Sequence, residues 1–237
     1  LVLSHSGDDF AVMGMHFKLG LYEHQSAGAL QGAIDLVSRN PGVLESLKAV
    51  KITAYEPAFG IIGDPAKRDP RTRQSADHSM VYIVGTLLRK AMEAGEVPSD
   101  PNEAWKALML LPEDYDDAAI LHPETRALME RISFEHGGPE YDSKYPEGIP
   151  TSVTFELENG TKLESGLVMF PAGHARNREH DLHGILATKF ARLAALATPE
   201  PRALLERLGA LSTADADEVA DLYDIDVDGG GGRSEEH

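Results

Sequence analysis

Asp77 and His78 stand side by side at the end of a cationic loop, Ile62 to Lys90 (IGDPAKRDPRTRQSADHSMVYIVGTLLRK). Within it Lys67, Arg68, Arg71 and Arg73 fall in seven positions and are opposed nearby only by Asp64 and Asp69. The whole chain has a formal net charge of −17, so this local excess of positive charge runs against its background. A cationic loop in an acidic protein suits a bound anion, a carboxylate or a phosphate. An imidazole beside it supplies a group that gains and loses protons near neutral pH.

Two further patches have a similar make-up. His16 to Ser26 (HFKLGLYEHQS) sets Lys18 and His24 just ahead of a predicted helix, whose unpaired N–H groups also favour an anion. Gly173 to Arg178 (GHARNR) carries His174, Arg176 and Arg178 between a predicted strand and a predicted helix. Taken singly, each has a plain structural explanation. A histidine at a helix start can be a cap, Asp77 in a first helical turn is favoured by the dipole, and loop arginines pair with surface carboxylates. Together, three cationic patches beside helix starts suit a small substrate with several carboxylates. Residue chemistry alone stops there, at a binder of a small polyanion that could also be an enzyme. His180 and His183 are three apart, a weak ligand spacing with no third ligand, so no metal is expected. His5, His122 and His136 are assigned no role.

The elements that must position these patches follow from periodicity. Ala27, Leu30, Ile34 and Val37 recur at helical spacing, and Asn40-Pro41-Gly42 stops that helix. Val50, Ile52 and Ala54 alternate with Lys51, Thr53 and Tyr55, as in a half-buried strand. After the basic loop, Ser75 is the expected N-cap of a helix from Ala76 to about Ala94, with Tyr82 one turn on from His78 and Val81, Val84, Leu87, Leu88 and Ala91 on its inner side. Loop and short helix fill 95–112, a helix is expected over Pro123–His136, and 137–150 reads as a long connection. Asn159-Gly160 between 152–158 and 163–170 predicts a hairpin with a type I′ turn. Helices at about 181–197 and 199–211 close the chain, the second started by Thr198-Pro199. The order predicts a mixed unit at 46–172 between helical flanks, 1–45 and 173–224, with a disordered acidic tail at 225–237. The fold class expected is α+β.

Composition excludes several classes. With no cysteine there is no disulfide, thiolate metal site, cysteine-ligated cluster or thiol nucleophile. The acidic balance argues against a nucleic-acid partner, which needs a basic face, and against an anionic membrane surface. No run approaches a membrane span. Hydrophobic residues at 42% are enough for a core. The opening LVLSHSGDDF has neither an initiator Met nor a signal-peptide layout and reads as a chain entered in mid-sequence. A cytoplasmic or mitochondrial-matrix location is expected.

Three segments carry a resemblance: FKLGLYEHQSAGALQGAIDL (17–36), ITAYEPAFGIIGDPAKRDPRTRQSADHSMVYIVGTLLRKA (52–91), and VMFPAGHARNR with KF (168–178 and 189–190). In this order they resemble the MmgE/PrpD family, over much of the chain. The resemblance implies a small α/β lid domain inserted into a helical domain, only the C-terminal part of which lies in this chain, and a homodimer. It also implies elimination of water from 2-methylcitrate in propionate breakdown, with no metal and no cofactor. On that pattern Lys18, His24 and His78 are the catalytic candidates. Arg73, Asp77, Tyr82, His174 and Arg176 are the candidates for binding a tricarboxylate or supporting its loops. His24 would transfer a proton, Lys18 would hold a carboxylate or act as acid, and His78 would handle or orient a second proton. The alternatives are decarboxylation of cis-aconitate, as in other members, and a non-catalytic fragment or subunit that binds polycarboxylates.

Overall fold

A computed structural model describes residues 14–222 and 224. His5 and the expected tail at 225–237 lie outside the described residues. The chain divides into two compact units, one running to Leu182 and the other starting at His183. The class is α+β: ten α-helical segments and one four-stranded mixed sheet among the described residues.

In the first unit α1 (Ala27–Arg39) is followed by β1 (Leu47–Ala54), the short α2 (Arg73–Ala76) and α3 (Met80–Ala94). Then come α4 (Pro101–Leu108), α5 (Asp117–Ile120), α6 (Pro123–Glu130), β2 (Ile132–His136), α7 (Gly138–Asp142), β3 (Thr151–Leu157) and β4 (Lys162–Glu164). The sheet order is β2-β1-β3-β4, with β1 parallel to β2 and antiparallel to β3. Helix α1 lies on β3, and its two glycines permit the close approach. A Cβ at Gly28 would come within 2.6 Å of Thr151 Oγ1, and one at Gly32 within 2.8 Å of Val153 Cγ2. Helix α3 is buried nearly all round from Met80 to Arg89, as a central helix should be, and α6 packs along it.

Several expectations need correction. Ser75 caps nothing from outside: it is the third residue of α2, where it completes a capping box with Thr72. The cap of α3 is Ser79, whose Oγ accepts from Tyr82 N–H and donates to the Lys67 carbonyl at 2.6 Å. Asp77 and His78 therefore sit in a break between two helices and not in a first turn. The helix expected to reach His136 ends at Glu130, because Ile132 to His136 pair with Val50 to Ala54 as a parallel edge strand. The connection at 137–150 contains α7.

At the hairpin only Gly160 takes a positive φ, 83°. The Gly160 N–H closes on the Leu157 carbonyl at 2.8 Å and Leu157 N–H on Thr161 O at 2.9 Å. That is the pattern of a three-residue loop ending in a left-handed glycine, so no type I′ turn forms. Strand β4 stops at Glu164, since Ser165 Oγ accepts the Val153 N–H at 2.9 Å; beyond it only an isolated bridge joins Val168 to Thr151.

Helix α8 (Leu182–Ala194) starts at the junction, and the second unit continues with α9 (Pro201–Gly209) and α10 (Ala216–Asp221). Pro201 opens α9 with Glu200 at the cap, so Thr198-Pro199 lies before the helix; Thr198 Oγ1 accepts from Glu200 N–H at 3.3 Å. No helix among the described residues is long and apolar enough to cross a membrane.

Candidate active site

A strap of chain from Phe17 to Glu23 is held by its own backbone. Phe17 N–H donates to Gly173 O at 2.8 Å, Leu21 N–H to Leu110 O at 2.9 Å and Glu23 N–H to Asp77 O at 2.9 Å. Side chains add to this: Leu19 N–H donates to the buried Tyr22 hydroxyl at 2.9 Å, and Tyr115 donates its hydroxyl proton to Leu21 O. The Glu23 carboxylate accepts from Gln25 N–H at 2.8 Å and so caps the 3₁₀ turn His24–Ser26 that leads into α1.

Between this strap and the α2–α3 break opens a cleft of about 260 Å³, lined by Lys18, Leu21, Tyr22, Glu23, His24, Arg73, Asp77, His78 and Tyr115. Three stretches far apart in sequence thus meet there. Lys18, His24, Arg73, Asp77 and His78, all anticipated from sequence, are brought together. Tyr82, His174 and Arg176 do not line this cleft. Tyr82 is 0% exposed and donates to the Asp114 carbonyl at 2.5 Å. His174 is buried, and Arg176 pairs with Glu147 with its guanidinium over the Phe170 ring. Arg176 lines a separate cavity of about 420 Å³ with Asp35, Arg39 and Arg178 among others.

The cationic loop divides by role. Arg68 donates to the Met129 and Ile132 carbonyls, both at 2.9 Å, where α6 passes into β2. Arg71 and Arg126 share Asp69. Those cations are structural. Arg73 forms no ion pair with any described residue and faces the cleft. The turn that presents Tyr115 is fixed from beneath by Asp114, itself 3% exposed, which accepts from Lys90 Nζ at 2.6 Å and from Leu111 N–H at 2.8 Å.

Burial sets the electrostatics. It lowers the pKa of His24, helped by the positive charges of His16 and Lys18, so the ring is neutral and able to take a proton. It raises that of Glu23, against the pull of the Gln25 N–H and of the His78, Lys18 and Lys67 charges. It also raises Tyr22 and Tyr115, which stay protonated. Across the cleft Asp77 Oδ1 contacts His78 Nδ1, which orients that imidazole. A neutral imidazole, an imidazole backed by a carboxylate, and two long cations are the set needed to remove one proton, deliver another and hold carboxylates. Sequence reasoning missed Glu23 and Tyr115. Glu23 sits inside a quoted motif and could have been weighed, whereas nothing local marks Tyr115. Among the described residues no group of three His, Asp or Glu side chains is placed to hold a metal ion.

Comparison with known proteins bears on the same residues. Residues 108–210 match the MmgE/PrpD C-terminal domain. Over 188 residues the chain is 28% identical to the 2-methylcitrate dehydratase, mitochondrial, of Yarrowia lipolytica, a stretch covering 76% of this chain and 32% of that protein. The chain thus spans about a third of the length of that relative. These matches agree with the resemblance carried by residues 17–36, 52–91, 168–178 and 189–190: the chain is similar to the MmgE/PrpD family, whose C-terminal domain matches residues 108–210.

Proposed function

We propose that the intact protein is a hydro-lyase that dehydrates 2-methylcitrate to 2-methyl-cis-aconitate in propionate breakdown, using neither metal nor cofactor. The observation that carries this reading is the convergence of Lys18, Arg73, His24 and the Asp77-His78 pair on one cleft. Neutral His24 takes the proton from the carbon α to a carboxylate. His78, held by Asp77, gives a proton to the departing hydroxyl, which leaves as water as the C–O bond breaks and the C=C bond forms. Lys18 and Arg73 neutralise the carboxylate on which charge builds, the step that most needs stabilisation in such an elimination. Glu23 and Tyr115 complete the walls.

The sheet-bearing segment 46–172 serves in this reading as a lid inserted into a helical domain, with 1–45 and 173–224 belonging to the latter. The working form is a homodimer in the cytoplasm or the mitochondrial matrix. Incubating the intact protein with 2-methylcitrate should give a rising ultraviolet absorbance from the conjugated product. Conversion of cis-aconitate to itaconate and CO₂, without methylaconitate from 2-methylcitrate, would replace dehydration by decarboxylation at the same cleft.

A further inference from the structure

Behind His24 the structure stacks two more imidazoles that the elimination does not use. The His16 ring lies 5.5 Å from that of His24 at an interplanar angle of 9°, and 3.9 Å from that of His174 at 22°. Phe170 closes the far end, its ring centroid 4.8 Å from His174. Both inner rings are pinned by main-chain donors: Ala175 N–H donates to His16 Nδ1 at 3.2 Å, and Arg176 N–H to His174 Nδ1 at 3.1 Å. Each Nδ1 is therefore an acceptor, and a neutral ring carries its proton on Nε2. His174 Nε2 is buried with no partner among the described residues, so beyond accepting the Arg176 N–H this ring serves as the surface on which His16 stacks.

We propose that His16 is a positioning residue for the cleft: seated on His174 and tied to the 173–178 loop, it sets the plane and the protonation of the His24 imidazole. This rests on the dehydratase reading only for the identity of the proton that His24 moves. The stack orients His24 through ring-on-ring contact, the arrangement aromatic pairs prefer. It also limits charge, because neighbouring imidazolium ions repel and the rings titrate as a coupled set. The other charged or titratable groups around His24 are Lys18 and Glu23 on its own segment, Arg73, Asp77 and His78 across the cleft, and the Tyr22 and Tyr115 hydroxyls. The directions agree: His16, His24 and His174 are all lowered by burial, and His24 and His174 further by the charge of His16.

The experiment compares wild type, His16→Ala and His16→Phe in the intact protein with two readouts. One is the pH dependence of carbethoxylation of His24 by diethyl pyrocarbonate, which attacks the neutral ring, mapped by peptide mass spectrometry. In His16→Ala the His24 midpoint should move to higher pH. Phenylalanine keeps the ring surface but not the charge, so that variant should keep His24 in plane with a smaller shift. The other is turnover of 2-methylcitrate: His16→Ala should lose on the order of tenfold in kcat with KM unchanged, as expected for a misaligned group, and His16→Phe should regain most of it. An unmoved His24 midpoint in His16→Ala would overturn the proposal. So would a loss confined to KM, which would make His16 a substrate contact. If no form, wild type included, turned over 2-methylcitrate, the dehydratase reading would fall and the labelling curves would still decide the role of His16.

Discussion

Replacing Gly173 by alanine should damage the cleft from a distance. Gly173 has φ of +90°, and an added Cβ would stand 2.2 Å from the carbonyl oxygen of Phe17 and 3.2 Å from Leu19 Cγ. Real Cβ atoms essentially never approach closer than 3.0 Å, so the strap must retreat by at least about 0.8 Å. The obstructing atom is backbone and cannot rotate away. The left-handed conformation costs a non-glycine residue about 1–2 kcal/mol. Losing the Phe17 to Gly173 hydrogen bond adds about 1 kcal/mol, and reduced freedom of the unfolded chain returns about 0.4–1 kcal/mol. A net loss of roughly 2 kcal/mol is expected in urea unfolding of the intact protein. Because Lys18 follows Phe17 directly and His16 precedes it, the retreat also displaces both, and kcat should fall by about ten- to a hundredfold, as sub-ångström to ångström misplacements do. Gly166 is the control: its φ is +74° but a Cβ there meets nothing within 4 Å, so Gly166→Ala should cost only the backbone preference and leave kcat intact. Equal kcat in both variants would refute the claim that the 173 loop sets the position of the strap.

Three further outcomes are expected. Asp77→Asn should lower kcat on 2-methylcitrate by roughly a hundredfold or more with KM little changed, since it removes the carboxylate that orients His78; a steady-state assay reads this directly. Arg68→Lys withdraws the terminal guanidinium nitrogen that donates to both the Met129 and Ile132 carbonyls and should cost about 1–3 kcal/mol in urea unfolding, while activity at low denaturant is kept. The pKa of His174 is lowered from 6.5 to about 4, so the unfolded chain binds a proton in that window and the folded one does not. Stability from this group is whole above pH 6.5 and drains away as pH falls toward 4. His16 and His24 act in the same direction, and urea midpoints measured from pH 7.5 down to about 4.5 should slope accordingly, less steeply in His174→Phe.

Much of this was legible in the chain where one element decides the pattern. Helix α1, strand β1 and the inner side of α3 read directly from periods of 3.6 and 2. The misreadings arose where a neighbour decides. Ile132 to His136 is too short for its period to distinguish a helix extension from a strand, and its state depends on β1, some eighty positions away. Ser75 and Ser79 both suit a cap; Ser79 serves α3 because the Lys67 carbonyl anchors its hydroxyl. The four cations of the loop look alike in sequence, yet Arg68 and Arg71 meet protein partners while Arg73 faces the cleft. The His16–Ser26 and Gly173–Arg178 patches read as separate, whereas His16 and His174 stack ring on ring.

The strap from Phe17 to Glu23 is tied to the 173 loop, to Leu110 and to Asp77 through main-chain atoms. Such ties have no sequence of their own. Position 18 can change its side chain while these main-chain ties keep the strap's address, whereas Glu23 also caps the turn into α1 and is tied to the scaffold by its carboxylate. Gly173 has no such latitude, because its backbone receives the strap. Variation among descendants of this chain should therefore concentrate on what the strap displays and avoid the glycine on which it rests.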